Sequence, residues 1–132
     1  KEGRLPRLGE PGVARDFVHV EDVVEAYCLA AARRGAGDAP VYNVGTGVQT
    51  TLSEVVEAAR SILGVTEEPR WASMPNRRWD TELWVSDSRK LRAELGWRPR
   101  YPFAEGFRQF ARWLEDRPDL FDFYRQSLRE EG

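Results

Sequence analysis

The chain has 132 residues, 41% hydrophobic and 32% charged, with 20 Lys plus Arg against 22 Asp plus Glu. That suffices for one compact domain, and no apolar run approaches the roughly 18 residues that a transmembrane helix needs. The net charge of -2 gives no global attraction to nucleic acid or acidic lipid, so any anion has to be held locally.

Residues Lys1 to Val13 place Pro6, Gly9, Pro11 and Gly12 around Leu5 and Leu8, which predicts a short extended piece and a tight turn at Gly9-Glu10-Pro11-Gly12. A strand is expected from Arg15 to Val20, because Phe17, Val18 and Val20 flank His19. From Asp22 the apolar residues Val23, Val24, Ala26, Tyr27, Ala30 and Ala31 recur at helical spacing, predicting a helix to about Arg33 that the glycines Gly35 and Gly37 end. Cys28, the only cysteine, falls on the apolar side of this helix. It can close no internal disulfide and is expected to be a buried core thiol, which fits a reducing cytoplasm. The chain starts at Lys1 rather than methionine and shows no signal-peptide pattern, so it reads as an excised piece.

Val41-Tyr42-Asn43-Val44 reads as a four-residue strand, with Gly45-Thr46-Gly47 turning the backbone after it. Thr51-Leu52-Ser53-Glu54 fits a capping box, and Leu52, Val55, Val56, Ala59, Ile62 and Leu63 form the apolar stripe of a helix that Gly64 ends. Pro69 to Trp84 has no helical period and is the most loop-like stretch. Binding residues concentrate on such loops when a rigid scaffold holds them. A short helix, Ser88 to Leu95, is expected to close at Gly96. After the connector Trp97 to Pro102, the apolar residues Phe103, Phe107, Phe110, Ala111 and Leu114 mark an amphipathic helix that Pro118 breaks, with a further helix from Asp119 to Arg129.

Arg15 stands ahead of a buried strand, with Glu21 and Asp22 at the start of the next helix, where the dipole favours acids. That setting suits an anion site, and Arg15 is the first candidate. His19, the only histidine, has no partner at metal or triad spacing and reads as a satisfied strand histidine; no metal site is expected. Asn43 reads as fixing the strand-to-loop turn, and Trp97 as a core anchor.

Four motifs in order resemble the substrate-binding, C-terminal part of the extended short-chain dehydrogenase/reductases, specifically the NAD-dependent nucleotide-sugar epimerases and dehydratases. They are a glycine turn with Arg-Asp-Phe-x-x-Val-x-Asp (Gly9 to Asp22), Tyr-Asn-x-Gly-x-Gly with a Thr-Leu-x-Glu helix (Tyr42 to Glu54), Arg-x-x-Asp before an Asp-Ser helix start (Arg77, Asp80, Asp87), and Leu-Gly-Trp-x-Pro leading into Glu-Gly-Phe (Leu95 to Phe107). The turn departs from the family's usual Gly-Asp-Gly-x-Gln by reading Gly9-Glu10-Pro11-Gly12-Val13.

The resemblance implies an α/β fold of short strands and about four or five helices, lacking most of the Rossmann domain. Residues 1–132 would be a single substrate-binding domain, with the Rossmann domain upstream as its missing partner. It implies Arg15 and Arg77 on the pyrophosphate of a nucleoside diphosphate sugar, Asp80 on a ribose hydroxyl and Leu8 against the nucleobase. A guanidinium fork and a carboxylate suit those roles. It also implies NAD, or NADP, and a homodimer for the full enzyme, with no catalytic residue and no cofactor contact in this stretch. The sequence has no G-x-G-x-x-G opening a helix and no Tyr-x-x-x-Lys. The plainer readings pair Arg15 with Asp16 or Asp22 and Arg77 with Asp80, and Arg78 stands beside Arg77 as a second candidate. A stand-alone phosphate-binding module and a protein-interaction domain are the other functional classes.

Overall fold

The computed structural model describes residues 3–33, 39–74, 84–120 and 123. The strand expected over Arg15–Val20 is shorter: β1 is Ala14–Arg15, antiparallel to β2, Thr50–Thr51, with Ala14 opposite Thr51 and Arg15 opposite Thr50. The turn before β1 closes from the Val13 amide to the Glu10 carbonyl at 3.3 Å, one residue later than the glycines suggest. Past Arg15 the Asp16 carboxylate bonds to two other loops and His19 caps a helix.

That helix, α1, spans Val20–Ala32 and so begins two residues before the expected Asp22. His19 is its N-cap rather than a strand residue: its Nδ1 accepts the Glu21 amide at 3.4 Å, and its carbonyl accepts the amides of Asp22 and Val23. The ring lies 4.5 Å from the Tyr101 ring, between centroids. α1 is apolar on two sides. Ala26 is buried with Val23 and Leu29 half-buried, while Val20, Val24 and Tyr27 are 66%, 54% and 73% exposed. Cys28 is also exposed, against the expected core thiol. On a helix with apolar residues around most of its circumference, spacing does not single out the inward side.

α2, Leu52–Leu63, matches its sequence signal. Thr51 Oγ1 accepts the Glu54 amide at 3.2 Å, the Glu54 carboxylate accepts the Thr51 amide at 2.6 Å, and Gly64 ends the helix at φ 68°. The next two first-turn amides, which have no partner inside a helix, are also used: Leu52 donates to the Val13 carbonyl at 2.8 Å and Ser53 to that of Pro11 at 3.1 Å. The glycine turn, β1 and the start of α2 therefore form one hydrogen-bonded block.

α3, Arg89–Leu95, closes at Gly96 with φ 68°. The core joins Ala26 of α1, Leu91 of α3 and Trp97, with Val18, Leu29, Tyr42, Val44 and Leu95 packed against them. Tyr42 and Val44 face it at period-2 spacing, but Val41–Val44 joins no ladder among the described residues, so the expected strand is an extended segment. Side chains hold it instead: the Tyr42 hydroxyl donates to Glu94 at 2.7 Å, Arg33 reaches both, and Asn43 Nδ2 donates to the Asp87 carbonyl at 3.5 Å.

α4, Phe103–Glu115, packs on α2, stacks Phe103 against Phe107 and sets it at a tilt to Phe17. Phe110 and Trp113, and Trp84 ahead of α3, lie exposed rather than in the core. The helix expected over Asp119–Arg129 falls largely outside the described residues. Among those described, no helix is long and apolar enough to cross a membrane.

Candidate functional site

Three runs of chain converge beside β1, and Asp16 joins them. Its carboxylate accepts from the Thr46 amide at 2.9 Å, the Thr46 hydroxyl at 2.5 Å, the Gly47 amide at 2.9 Å and the Ser86 amide at 3.1 Å. Burial alone would push this carboxyl up, but the bonds from Thr46, Gly47 and Ser86 outweigh it and hold it below its ordinary value. Gly45 sits where nothing larger fits, since a Cβ there would collide with Ser86 and come within 2.8 Å of Asp16 Oδ2. The buried Ser88 hydroxyl closes the junction from the other side, donating to the Gly45 carbonyl at 2.8 Å while accepting the Gly45 amide at 3.0 Å.

Arg15, next to Asp16, is half-buried and donates from Nη1 to the Ala14 carbonyl at 2.8 Å. The Asp22 carboxylate accepts the amides of Arg100 and Tyr101 and Arg100 Nε. Leu8 is buried, 6% exposed, and its backbone is fixed on both sides. Its amide donates to Ser73 Oγ at 2.9 Å, and its carbonyl accepts the Met74 amide at 3.0 Å.

Arg77, Arg78 and Asp80 lie outside the described residues. The ends of their stretch do not. Ala72 and Met74 donate to the carbonyls of Gly9 and Leu8, and the Trp84 amide donates to the Ala14 carbonyl at 3.3 Å, two residues before Ser86 meets Asp16. The chain entering the stretch is thus tied to Leu8–Gly9 and the chain leaving it to Ala14–Asp16. Asp16, Thr46 and Ser86, which hold these loops together, were not among the candidates that the sequence offered; the Arg-Asp pair and the Gly45–Gly47 turn were the available signal.

Two concavities flank this frame. An apolar pocket of about 240 Å³ is lined by Phe17, His19, Tyr101, Phe103, Gly106 and Phe107 among others, and contains none of the candidate residues. A polar groove of about 700 Å³ is lined by Arg4, Arg7, Arg70, Glu67, Glu68 and Ser73 and opens beside Leu8 through the shared Ser73. No group of three metal-ligating side chains occurs among the described residues.

The family model described as GDP-mannose 4,6 dehydratase matches residues 1–110. A UDP-glucose 4-epimerase of Mycolicibacterium smegmatis is 36% identical over 105 residues, which cover 79% of this chain and 32% of that protein. The crystal structure of UDP-glucose 4-epimerase with UDP-glucose from Thermotoga maritima aligns at TM-score 0.72 and 30% identity over 83% of this chain and 35% of its own. That of the Thermus thermophilus UDP-glucose 4-epimerase complex with NAD aligns at TM-score 0.66 and 36% identity, over 81% and 34%. The chain spans about a third of the length of these relatives. With the four motifs in order on an α/β frame of this shape, the chain belongs to the GDP-mannose 4,6-dehydratase family of nucleotide-sugar epimerases and dehydratases, among the extended short-chain dehydrogenase/reductases.

Proposed function

We propose that this chain is the C-terminal, nucleotide-sugar-binding portion of an NAD-dependent epimerase or dehydratase, and that it grips the nucleoside diphosphate while a Rossmann domain outside it holds the cofactor. The observation that carries this reading is the double anchoring of the stretch with Arg77 and Asp80. Its two ends are hydrogen-bonded to the same run, Leu8 to Asp16, that carries Arg15. The ties at Ala72, Met74, Trp84 and Ser86 keep both flanks of that sequence beside the run that carries Arg15, and guanidinium forks suit a diphosphate.

In this reading Arg15 and Arg77 bind the pyrophosphate, Asp80 accepts from a ribose hydroxyl, and Leu8 forms the floor under the base. When bound, the nicotinamide cofactor supplies the transient oxidation of the sugar and the return of hydride. The residues of this chain contribute orientation, which can lower a barrier by several kcal/mol through positioning alone. With neither the glycine-rich fingerprint nor Tyr-x-x-x-Lys in its sequence, the chain is inactive by itself. The full enzyme is a homodimer, and its cofactor is NAD or NADP.

The test is calorimetric titration of the chain with UDP and with NAD. UDP binding is expected, and Arg15→Met and Arg77→Ala should each weaken it about 10- to 150-fold, the worth of a charge-assisted hydrogen bond. NAD should give only heat of dilution. Unchanged UDP affinity in both variants would defeat the reading.

A further inference from the structure

We infer that Asp16 is the positioning residue of the nucleotide grip: it sets Arg15 and the chain leaving the Arg77–Asp80 stretch in one fixed relation. The inference rests on the binding role proposed above and adds a residue to which that reading gives no part. Arg15 is bonded in sequence to Asp16, and Ser86, two residues past Trp84, donates its amide to Asp16 Oδ2 at 3.1 Å. The other acceptor positions of the carboxylate take Thr46 and Gly47. One side chain therefore ties the end of β1 to two loops that are 30 and 70 residues away in sequence.

Only a carboxylate satisfies this arrangement. All four groups pointing at Asp16 are donors, and an ionised carboxylate offers acceptor sites alone, whereas an amide would turn two N–H groups toward the donors of Gly47 or Ser86. The absence of room for a Cβ at Gly45 gives the same junction no slack with which to re-form around a different side chain. Asp16 touches no ligand in this scheme. It acts through Arg15 and through the chain at Trp84.

The experiment compares Asp16→Asn with Trp97→Phe, which removes the indole donor to the Asp22 carbonyl in the core and leaves the Asp16 junction its partners. In Asp16→Asn the amides of Trp84 and Ser86 should exchange with solvent about tenfold faster relative to those of α2, and UDP affinity should fall about tenfold. Trp97→Phe should lower the melting temperature yet hold UDP affinity within about twofold, because its lost bond is to Asp22 and not to the Asp16 junction. Should Asp16→Asn fail to fold, Thr46→Val removes the hydroxyl that donates to Asp16 and accepts the Val48 amide, leaves the carboxylate its three amides, and should produce the same two effects at about threefold. Retained protection of Trp84 and Ser86 would overturn the inference. So would losses of affinity in Asp16→Asn and Trp97→Phe that simply track their losses of stability. If the unaltered chain gives no heat with UDP, the binding role fails, and the exchange rates alone then decide whether Asp16 fixes these segments.

Discussion

The indole Nε1–H of Trp97 donates to the main-chain carbonyl of Asp22 at 2.8 Å, and the fully buried Asp22 carboxylate accepts the amides of Arg100 and Tyr101 at 3.1 and 3.2 Å. The first turn of α1 is thereby bound to the connector that leads from the core tryptophan into α4. Trp97→Phe keeps most of the ring packing and loses one donor, so it should cost about 1 to 2 kcal/mol. Asp22→Ala leaves the part-buried amides of Arg100 and Tyr101 without this acceptor and leaves Arg100 with Glu25, and should cost about 2 to 3 kcal/mol. Urea denaturation ranks the two, and equal losses would show that the carboxylate is not the stronger tie.

The capping box gives a local prediction. Thr51→Ala removes the acceptor of the Glu54 amide and should cost about 1 kcal/mol, whereas Thr51→Ser keeps the hydroxyl and should stay within about 0.5 kcal/mol of the original. A thermal melt of both variants is sufficient. An Ala variant as stable as the Ser variant would mean that the Val13 and Pro11 carbonyls already hold the end of α2 without the cap.

What the sequence made legible follows the range of each interaction. α2 could be placed to the residue because Thr51, Glu54 and Gly64 bond to backbone groups within four positions of themselves. α3 and its Gly96 stop were read for the same reason. His19 looked like a strand residue because its capping bond is weak in the pattern and its ring is fixed by Tyr101, 82 positions on. Val41–Val44 carried the alternation of a strand, but a ladder also needs a neighbouring edge, and alternation is silent about that. At the site, Arg15 stood out by charge, while Asp16 did not, since its four donors come from loops that only the folded chain assembles.

Asp16 also predicts how stability depends on pH. Its folded-state pKa lies below its ordinary value, so its contribution is present above the unfolded pKa of about 3.9 and is lost as pH falls through the lower folded value. Glu54, lowered by the Thr51 amide and hydroxyl, adds a loss of the same sign. Stability measured by urea midpoints should be steady from neutral pH to about pH 5 and fall below pH 4, with a shallower fall in Asp16→Asn. An identical acid limb in that variant would remove Asp16 from the account.

Ala72 is the one described non-glycine residue with positive φ, at 51°, and its amide donates to the Gly9 carbonyl at 3.1 Å just ahead of the Arg77–Asp80 stretch. A left-handed alanine costs about 1 to 2 kcal/mol, part of which glycine returns as chain entropy in the unfolded state. Ala72→Gly should therefore raise stability by about 0.5 to 1 kcal/mol. A melting temperature that falls instead would show that the methyl group packs usefully enough to outweigh the strain.

The two-sided apolar character of α1 reaches beyond the fold. Val20, Val24 and Tyr27 give the chain a surface that water covers at a free-energy cost, beside a thiol open to oxidation. In a cell, such surfaces are what chaperones bind and proteases sort by, and small changes in their exposure move abundance several-fold. Whatever comes to lie on α1 would then govern how long the chain survives before it governs anything the chain does.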